Sequence, residues 1–432
     1  MPSDMRTLPL PVPSVPSTVT ATTSTPTTSS STDIVPSTSR PPPPAKRQVK
    51  RFVGKANRIP DDILEDPSLI QAIAQLPSNY NFEIHKTIWR LREAAATCVA
   101  LQFPEGLMMY ACTIADMVER FVPSVKEVVV MGDVTYGACC IDDLGATAAG
   151  ADFLVHYGHS CLVPVTCTSL KALYVFVEIR VDATHLIASL SRNLEGERRV
   201  CLMGTIQFVS AVHEAAAGLK EHFASVHVPQ ARPMSAGEVL GCTAPTLDST
   251  AFDTLVFVAD GRFHLEAAMI ANPSLEAYRY NPYDKTLTRE VYDTPKMLRL
   301  RKAAVEAGKG SRRWGVIMGT LGRQGNPALV KHAMDLLEGA GKEAFVLLLS
   351  EITPQKLALL DEEVDAWVQI ACPRLSIDWG LFFTTPVLTA YELEVALGGE
   401  AWSETSYPMD YYAKDSGAWG NLHPINAKRV ML

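Results

Sequence analysis

No stretch of this chain stays apolar for the roughly 18 residues that a membrane-spanning helix requires, so a transmembrane helix is excluded. Basic residues do not dominate either: 39 Lys and Arg stand against 47 Asp and Glu, a net charge of −8. That balance argues against bulk electrostatic binding to nucleic acid, which needs a basic face. Charged residues make up only 20% of the chain and hydrophobic ones 47%, which suits a well-buried α/β protein and neither a disordered nor a fibrous one. Nine cysteines in 432 residues are too few for a disulfide scaffold. Their odd count, and the lack of a secretory signal, imply a reducing, cytoplasmic compartment where cysteines serve metals or catalysis. Neither G-x-G-x-x-G nor a P-loop occurs, so the chain carries no nicotinamide, flavin or phosphate-loop fingerprint.

What is present begins with a tail. Residues 1–45 are mostly Ser, Thr and Pro and end in Pro41 to Pro44. Such a segment cannot bury enough apolar area to offset its ordering entropy, so it is expected to be disordered through about residue 55. Transit peptides are rich in Arg, and here only Arg6 and Arg40 appear. The basic run from Lys46 to Arg51 reads as a solvated linker rather than a nuclear address.

Beyond that point the chain repeats itself. Three copies open with an apolar run, a Gly- or Pro-containing turn and a helix: CVALQFPEGL from Cys98, VCLMGTIQF from Val200 and WGVIMGTLGRQGNP from Trp314. Second runs begin at Glu127, Ser225 and Glu343, third runs at Ala151, Phe252 and Val364, and weaker fourth runs at Ala172, Ala277 and Ala390. Apolar strands alternating with helices indicate parallel sheets covered on both faces. The expected architecture is three Rossmann-like domains related by duplication, with parallel sheets around a central cluster site. Their expected extents are 56–185, 186–300 and 301–400, followed by a C-terminal extension over 401–432.

Cys139, Cys242 and Cys372 each sit where such a run breaks into a loop, one in each domain. Thiolates from three domains, converging on a central gap, could hold an iron–sulfur cluster and leave one iron without a protein ligand. The other cysteines weigh against over-reading this. Cys98 and Cys201 lie inside strands, and Cys112 in a helix beside Met109 and Ala115, where a thiol acts as a small core hydrophobe. Cys140 adjoins Cys139 and could substitute for it, although neighbouring residues point in different directions. Cys161 and Cys167 form a C-x5-C pair that fits no common zinc spacing. The C-x3-C-x2-C spacing of most radical enzymes that use S-adenosylmethionine (SAM) is absent.

Long ordered strings then give a resemblance. LQFPEGL (101–107), GDVTYGACCIDD (132–143), GADFLVHYGHSCLVP (150–164), GEVLGCTAP (237–245), DGRFHLEA (260–267), YRYNPYDK (278–285), GTLGRQGNP (319–327) and ACPRLSIDWG (371–380) run through the chain. With them, the chain from about residue 52 to 432 resembles the eukaryotic 2-(3-amino-3-carboxypropyl)histidine synthase family in its first-subunit branch. The resemblance implies a 4Fe–4S cluster on Cys139, Cys242 and Cys372, with SAM as cosubstrate chelating the open iron. It implies cleavage of the Cγ–S bond of SAM and transfer of the 3-amino-3-carboxypropyl group to a histidine of translation elongation factor 2, the first step toward diphthamide. It further implies a heterodimer with a paralogous second subunit and a small zinc-ribbon, iron-binding electron donor. The Ser/Thr/Pro tail lies outside the family pattern.

Other polar residues are candidates for SAM contact. Gly319, Arg323, Gln324 and Gly325, with Gly322, form a Gly-rich loop before a helix, suited either to holding a carboxylate or ribose on exposed N–H groups or to making a tight turn. Gln102, Glu105 and Gly106 hold the equivalent turn of the first repeat. His159 ends a strand beside the Cys139 loop together with His156. Arg262 and His264 end the corresponding strand of the second repeat, and Asp378 and Trp379 follow Cys372 closely enough to shape its surroundings. Two further readings remain: an iron–sulfur dehydratase similar to quinolinate synthase, and a non-catalytic scaffold subunit.

The tail generates a first prediction. A chain beginning at Arg51 should bind iron and turn over elongation factor 2 as the full chain does, because residues 1–45 offer neither core nor ligand-type side chains. Side-by-side turnover checks this. Intact cluster absorbance with a large loss of turnover would instead make the tail a substrate or partner contact.

Overall fold

Each apolar run that opens a repeat becomes an inner strand of a parallel sheet. The computed structural model describes residues 58–427, and the Ser/Thr/Pro tail and the basic run lie outside them. In the first sheet the strands lie in the order Glu127–Val130, Cys98–Gln102, Phe153–Tyr157, Lys171–Val175, all parallel. The second sheet repeats that order with Ser225–His227, Arg199–Gly204, Thr254–Val258 and Glu276–Asn281, and adds the antiparallel strand Thr286–Glu290. The third runs Glu343–Leu349, Arg313–Gly319, Ala366–Ile370, Val387–Leu388, again parallel throughout. Phe153–Tyr157, Thr254–Val258 and Ala366–Ile370 are buried at every residue. Strands covered on both faces read as continuous apolar runs, and this is why sequence located them.

Two local expectations are corrected. The run beginning at Ala390 is not a strand but the helix Ala390–Ala396, and the fourth strand is the short Val387–Leu388 before it. All seven helical residues are buried, so no polar face marked the helical period, and periodicity alone cannot separate a buried helix from a buried strand. The signal that decides it is the capping box, in which Thr389 and Glu392 satisfy each other's backbone N–H groups. The Glu392 carboxylate also receives Arg301 Nε at 2.7 Å and the Tyr407 hydroxyl at 2.9 Å. Arg301 belongs to helix Thr294–Gly310, which spans residue 300 and packs on the third sheet through Gly308 against Leu388 and Trp314. Cys112 is the second correction. It is exposed on helix Ala111–Phe121, whose buried face carries Ala111, Ile114, Met117, Val118 and Phe121.

The three sheets are tied pairwise near the loops that carry the cysteines. Between first and third, Gly322 lies on the Cys140 backbone, where an added Cβ would stand 2.6–2.7 Å from Cys140 atoms. The Arg323 N–H donates to Cys139 O at 2.9 Å. Its guanidinium grips the buried Asp143 carboxylate through Nε at 2.7 Å and Nη2 at 2.6 Å. Between second and third, the buried Arg374 donates Nη1 to Phe263 O at 2.7 Å and Gly241 O at 3.3 Å. Its Nη2 reaches Glu266 at 2.6 Å, and the guanidinium stacks over the Phe263 ring at 4.3 Å. Between first and second, Ser160 donates to the buried Glu238, and the Gln207 amide to Gly158 O.

The tightest of these contacts can be tested. Gly322 has φ +55 as well as no room for a Cβ, so Gly322→Ala should cost about 1–3 kcal/mol of stability in urea unfolding. Gly339→Ala adds a methyl that meets nothing within 4 Å in a helix, and should be neutral or stabilising by less than about 1 kcal/mol. An equal response of the two variants would dismiss the tie.

Candidate functional site: a buried three-thiol chamber

Strand ends aim all three cysteine loops at one place. Cys139 lies on the 3-10 turn Ala138–Cys140, after the strand Glu127–Val130. Cys242 lies in the loop between Ser225–His227 and Thr254–Val258, on a turn that Leu240 and Thr243 close with backbone bonds of 2.9 and 3.3 Å. Cys372 is the N-cap of helix Pro373–Trp379, directly after the strand Ala366–Ile370.

The thiols feel one another. Cys139 is held well above the ordinary thiol range by its hydrogen bond with Cys140, by burial, and by the neighbouring Cys140, Cys242 and Cys372 sulfurs. Cys242 is pushed up to about 12 by burial and by Cys372, and burial raises Cys372 as well. Negative charge is thus disfavoured at all three, a setting that a cationic centre relieves by replacing the protons. Among the described residues no three His, Cys, Asp or Glu groups close on a single metal ion.

The C-terminal extension, which sequence marked only as a continuation, covers this chamber. The Ala244 N–H donates to Met409 O at 2.8 Å, and the Tyr412 N–H to Thr243 Oγ1 at 2.9 Å. These bonds lay the segment along the Cys242 turn. Tyr411 and Tyr412 are buried, their hydroxyls have no hydrogen-bond partner, and burial followed by the cysteine sulfurs raises both phenols. Unpartnered buried hydroxyls facing thiols are uncommon in a finished core and fit a chamber built around something else. The string MDYYAKDSGAW is dense in aromatics, and that was its one sequence signal.

The candidate SAM residues divide sharply. Gln102 is buried at the end of its strand, with Nε2 donating to Cys140 O at 2.9 Å and Oε1 accepting from Asp142 N–H at 3.2 Å and His156 Nδ1 at 2.9 Å. Both ends of its amide are engaged, tying the cysteine turn to His156. Because that oxygen only accepts, His156 carries its proton on Nδ1, and Nε2 is left as a buried acceptor without a partner. His159, 5.6 Å away ring to ring, has an unpartnered buried Nδ1 and is lowered to about 4 by burial and by His264. His264 is likewise lowered to about 4, by burial and then Arg374. These imidazoles are neutral at physiological pH.

The Gly-rich loop serves as a clamp in this structure. Gly319 lets Ala371 approach, since a Cβ would lie 2.6 Å from the Ala371 Cβ, and a Cβ on Gly325 would lie 2.2 Å from Gly319 O. Arg323 and Gln324 face the first sheet, with Gln324 Nε2 donating to Cys140 Sγ at 3.2 Å. Glu105 is exposed, and Gly106 lines a cleft of about 380 Å³ with Gln207, Asp260, His264 and Tyr283. Arg262 is paired with Glu290. Asp378 pairs with Arg374, while Trp379 is 53% exposed on the outer face. Sequence reasoning missed Arg374, two residues beyond Cys372, because a charged residue in a helix reads as solvated until its carbonyl partners are known.

Comparison with known proteins agrees with the strings. Residues 103–408 match the family described as "Putative diphthamide synthesis protein". The chain is 54% identical over 371 residues to 2-(3-amino-3-carboxypropyl)histidine synthase subunit 1 of Homo sapiens, covering 85% of this chain and 83% of that protein. It is 48% identical over 373 residues to the Dictyostelium discoideum protein of the same name, covering 85% and 78%. The fold is similar to the crystal structure of Dph2 from Pyrococcus horikoshii with a 4Fe–4S cluster. That match has TM-score 0.62 and 26% identity, and covers 75% of this chain and 93% of that one. With about half its residues shared with subunit 1 proteins over most of its length, the chain belongs to the diphthamide synthesis family as a transferase of the 2-(3-amino-3-carboxypropyl)histidine synthase type.

Proposed function

We propose that the chain is the catalytic subunit that transfers the 3-amino-3-carboxypropyl group of SAM to a histidine of translation elongation factor 2, the first step of diphthamide biosynthesis. The observation that carries this reading is the set of Cys139, Cys242 and Cys372, one thiol per sheet, buried together within electrostatic reach of one another. A 4Fe–4S cluster held by these three thiolates would supply a low-potential electron and one iron open to an amino-acid chelate. The cluster named with the Pyrococcus horikoshii Dph2 structure supports that choice.

The chain's own groups then bind, orient and exclude water. Tyr411 and Tyr412 close the chamber on the side of the C-terminal extension, and their free hydroxyls are donors for a ligand inside. Gln102, Gln324 and Arg323 fix the Cys139 turn, so the position of its sulfur is set before anything binds. His156 Nε2 and His159 Nδ1 are neutral acceptors near the ends of the first sheet. The subunit 1 name of the relatives supports assembly with a paralogous second subunit, and the chemistry calls for an outside electron donor, which we take to be a small zinc-ribbon iron protein. We place the reaction in the cytoplasm, where thiols stay reduced. The three sheets are read as Rossmann-like domains made by duplication, over 56–185, 186–300 and 301–400.

Cys139→Ala, Cys242→Ala and Cys372→Ala should each lose iron and the formation of methylthioadenosine after anaerobic reconstitution. Cys98→Ala and Cys201→Ala should keep both and lose only about 1 kcal/mol of stability. Full iron content with normal SAM cleavage in Cys372→Ala would overturn the ligand assignment. Iron uptake without SAM cleavage, alone or with the paralogous subunit and a reductant, would leave a scaffold.

A further inference from the structure

A fourth thiol stands in the chamber. Cys140 is 2% exposed, shares a hydrogen bond with the Cys139 thiol, and lies within electrostatic reach of Cys372. No other cysteine influences these four thiols: Cys201 is enclosed in its strand, and Cys161 and Cys167 lie near Tyr174. Nor is Cys140 treated as filler. Gln102 holds its carbonyl at 2.9 Å, Gly322 gives up a side chain to lie against its backbone, and the Gln324 amide donates to its sulfur at 3.2 Å. Residues from two sheets therefore fix this one position. The amide N–H of the third sheet is thus aimed at a sulfur of the first. Cys201, enclosed in its apolar strand, shows no such contact.

We propose that Cys140 is a fourth protein ligand, occupying the otherwise open iron of the cluster until SAM displaces it. This rests on the three-cysteine reading above. Adjacent cysteines can serve different irons because successive side chains leave the backbone in different directions, and both sulfurs here reach one chamber. The exchange balances as a ligand substitution: the thiol releases a proton when it binds iron, and the thiolate takes one up when the amine and carboxylate of SAM replace it. No electron moves in that step. Its use is protection, since an iron held only by cluster sulfides and a water, with no protein ligand, is the one a cluster gives up on oxidation.

The test is iron retention rather than turnover. Wild type, Cys140→Ser and Cys140→Ala are reconstituted anaerobically without SAM and treated with ferricyanide, and the appearance of a 3Fe–4S signal is followed by electron paramagnetic resonance. Wild type should lose the iron slowest and the alanine variant fastest, by about tenfold, the lower end of what even outer-sphere changes do to metal binding. Serine, a poorer ligand of similar size, should fall between. Equal rates in wild type and alanine overturn the proposal. If the alanine variant takes up no iron, a serine variant that retains iron as wild type does overturns it. Cys242→Ala, run alongside, separates the readings: full iron there undoes the three-cysteine site itself, whatever Cys140 does.

Discussion

The contact between the Gly-rich loop of the third sheet and the Cys139–Cys140 turn of the first is the constraint on which the site depends. A short turn with φ-restricted glycine at its tip is laid on backbone rather than on side chains, so it tolerates little displacement. Gly322 touches Cys140, the Arg323 N–H holds Cys139 O, and the Arg323 guanidinium anchors to Asp143 at the start of the next helix. Such a bidentate pair is geometrically specific as well as strong. It fixes where one thiol stands relative to a sheet some 180 residues further along the chain.

Arg374 plays the complementary part between second and third sheets. It is 2% exposed and is neutralised by Glu266 and Asp378 while donating to two carbonyls on the Cys242 side. Removing such an arginine strands two carboxylates in a poorly solvated place, a loss on the order of 3–5 kcal/mol for a broken buried pair. The charge lies within the reach of Cys242 and Cys372 and lowers both, in opposition to burial. One residue therefore both joins two sheets and moderates the electrostatics of two thiols. The Ser160–Glu238 bond closes the remaining side, so no cysteine loop depends on its own sheet alone.

A site assembled this way gives several of the candidate ligand-contact residues a supporting role between sheets. Glycine-rich turns at the ends of parallel strands commonly cradle anions, and from sequence the 319–325 loop fits that use. In the structure its Arg323 N–H already holds a carbonyl and its side chains already hold a neighbouring sheet. Groups left unsatisfied near the cysteines, among the described residues, include His156, His159, Tyr411 and Tyr412.

The sequence by itself determined the three sheets, because their central strands, buried on both faces, are continuous apolar runs, and it placed three cysteines beside strand ends. It failed where burial erased periodicity, as over Ala390–Ala396, and where helix phase rather than composition decided exposure, as at Cys112. Only the tertiary structure decided that the thiols share one chamber, that Arg374 is buried, and that Tyr411 and Tyr412 close over the Cys242 turn. Those facts depend on contacts between residues more than a hundred positions apart. Local propensity and periodicity carry no information about such distances, whereas packing of three sheets against one another fixes them.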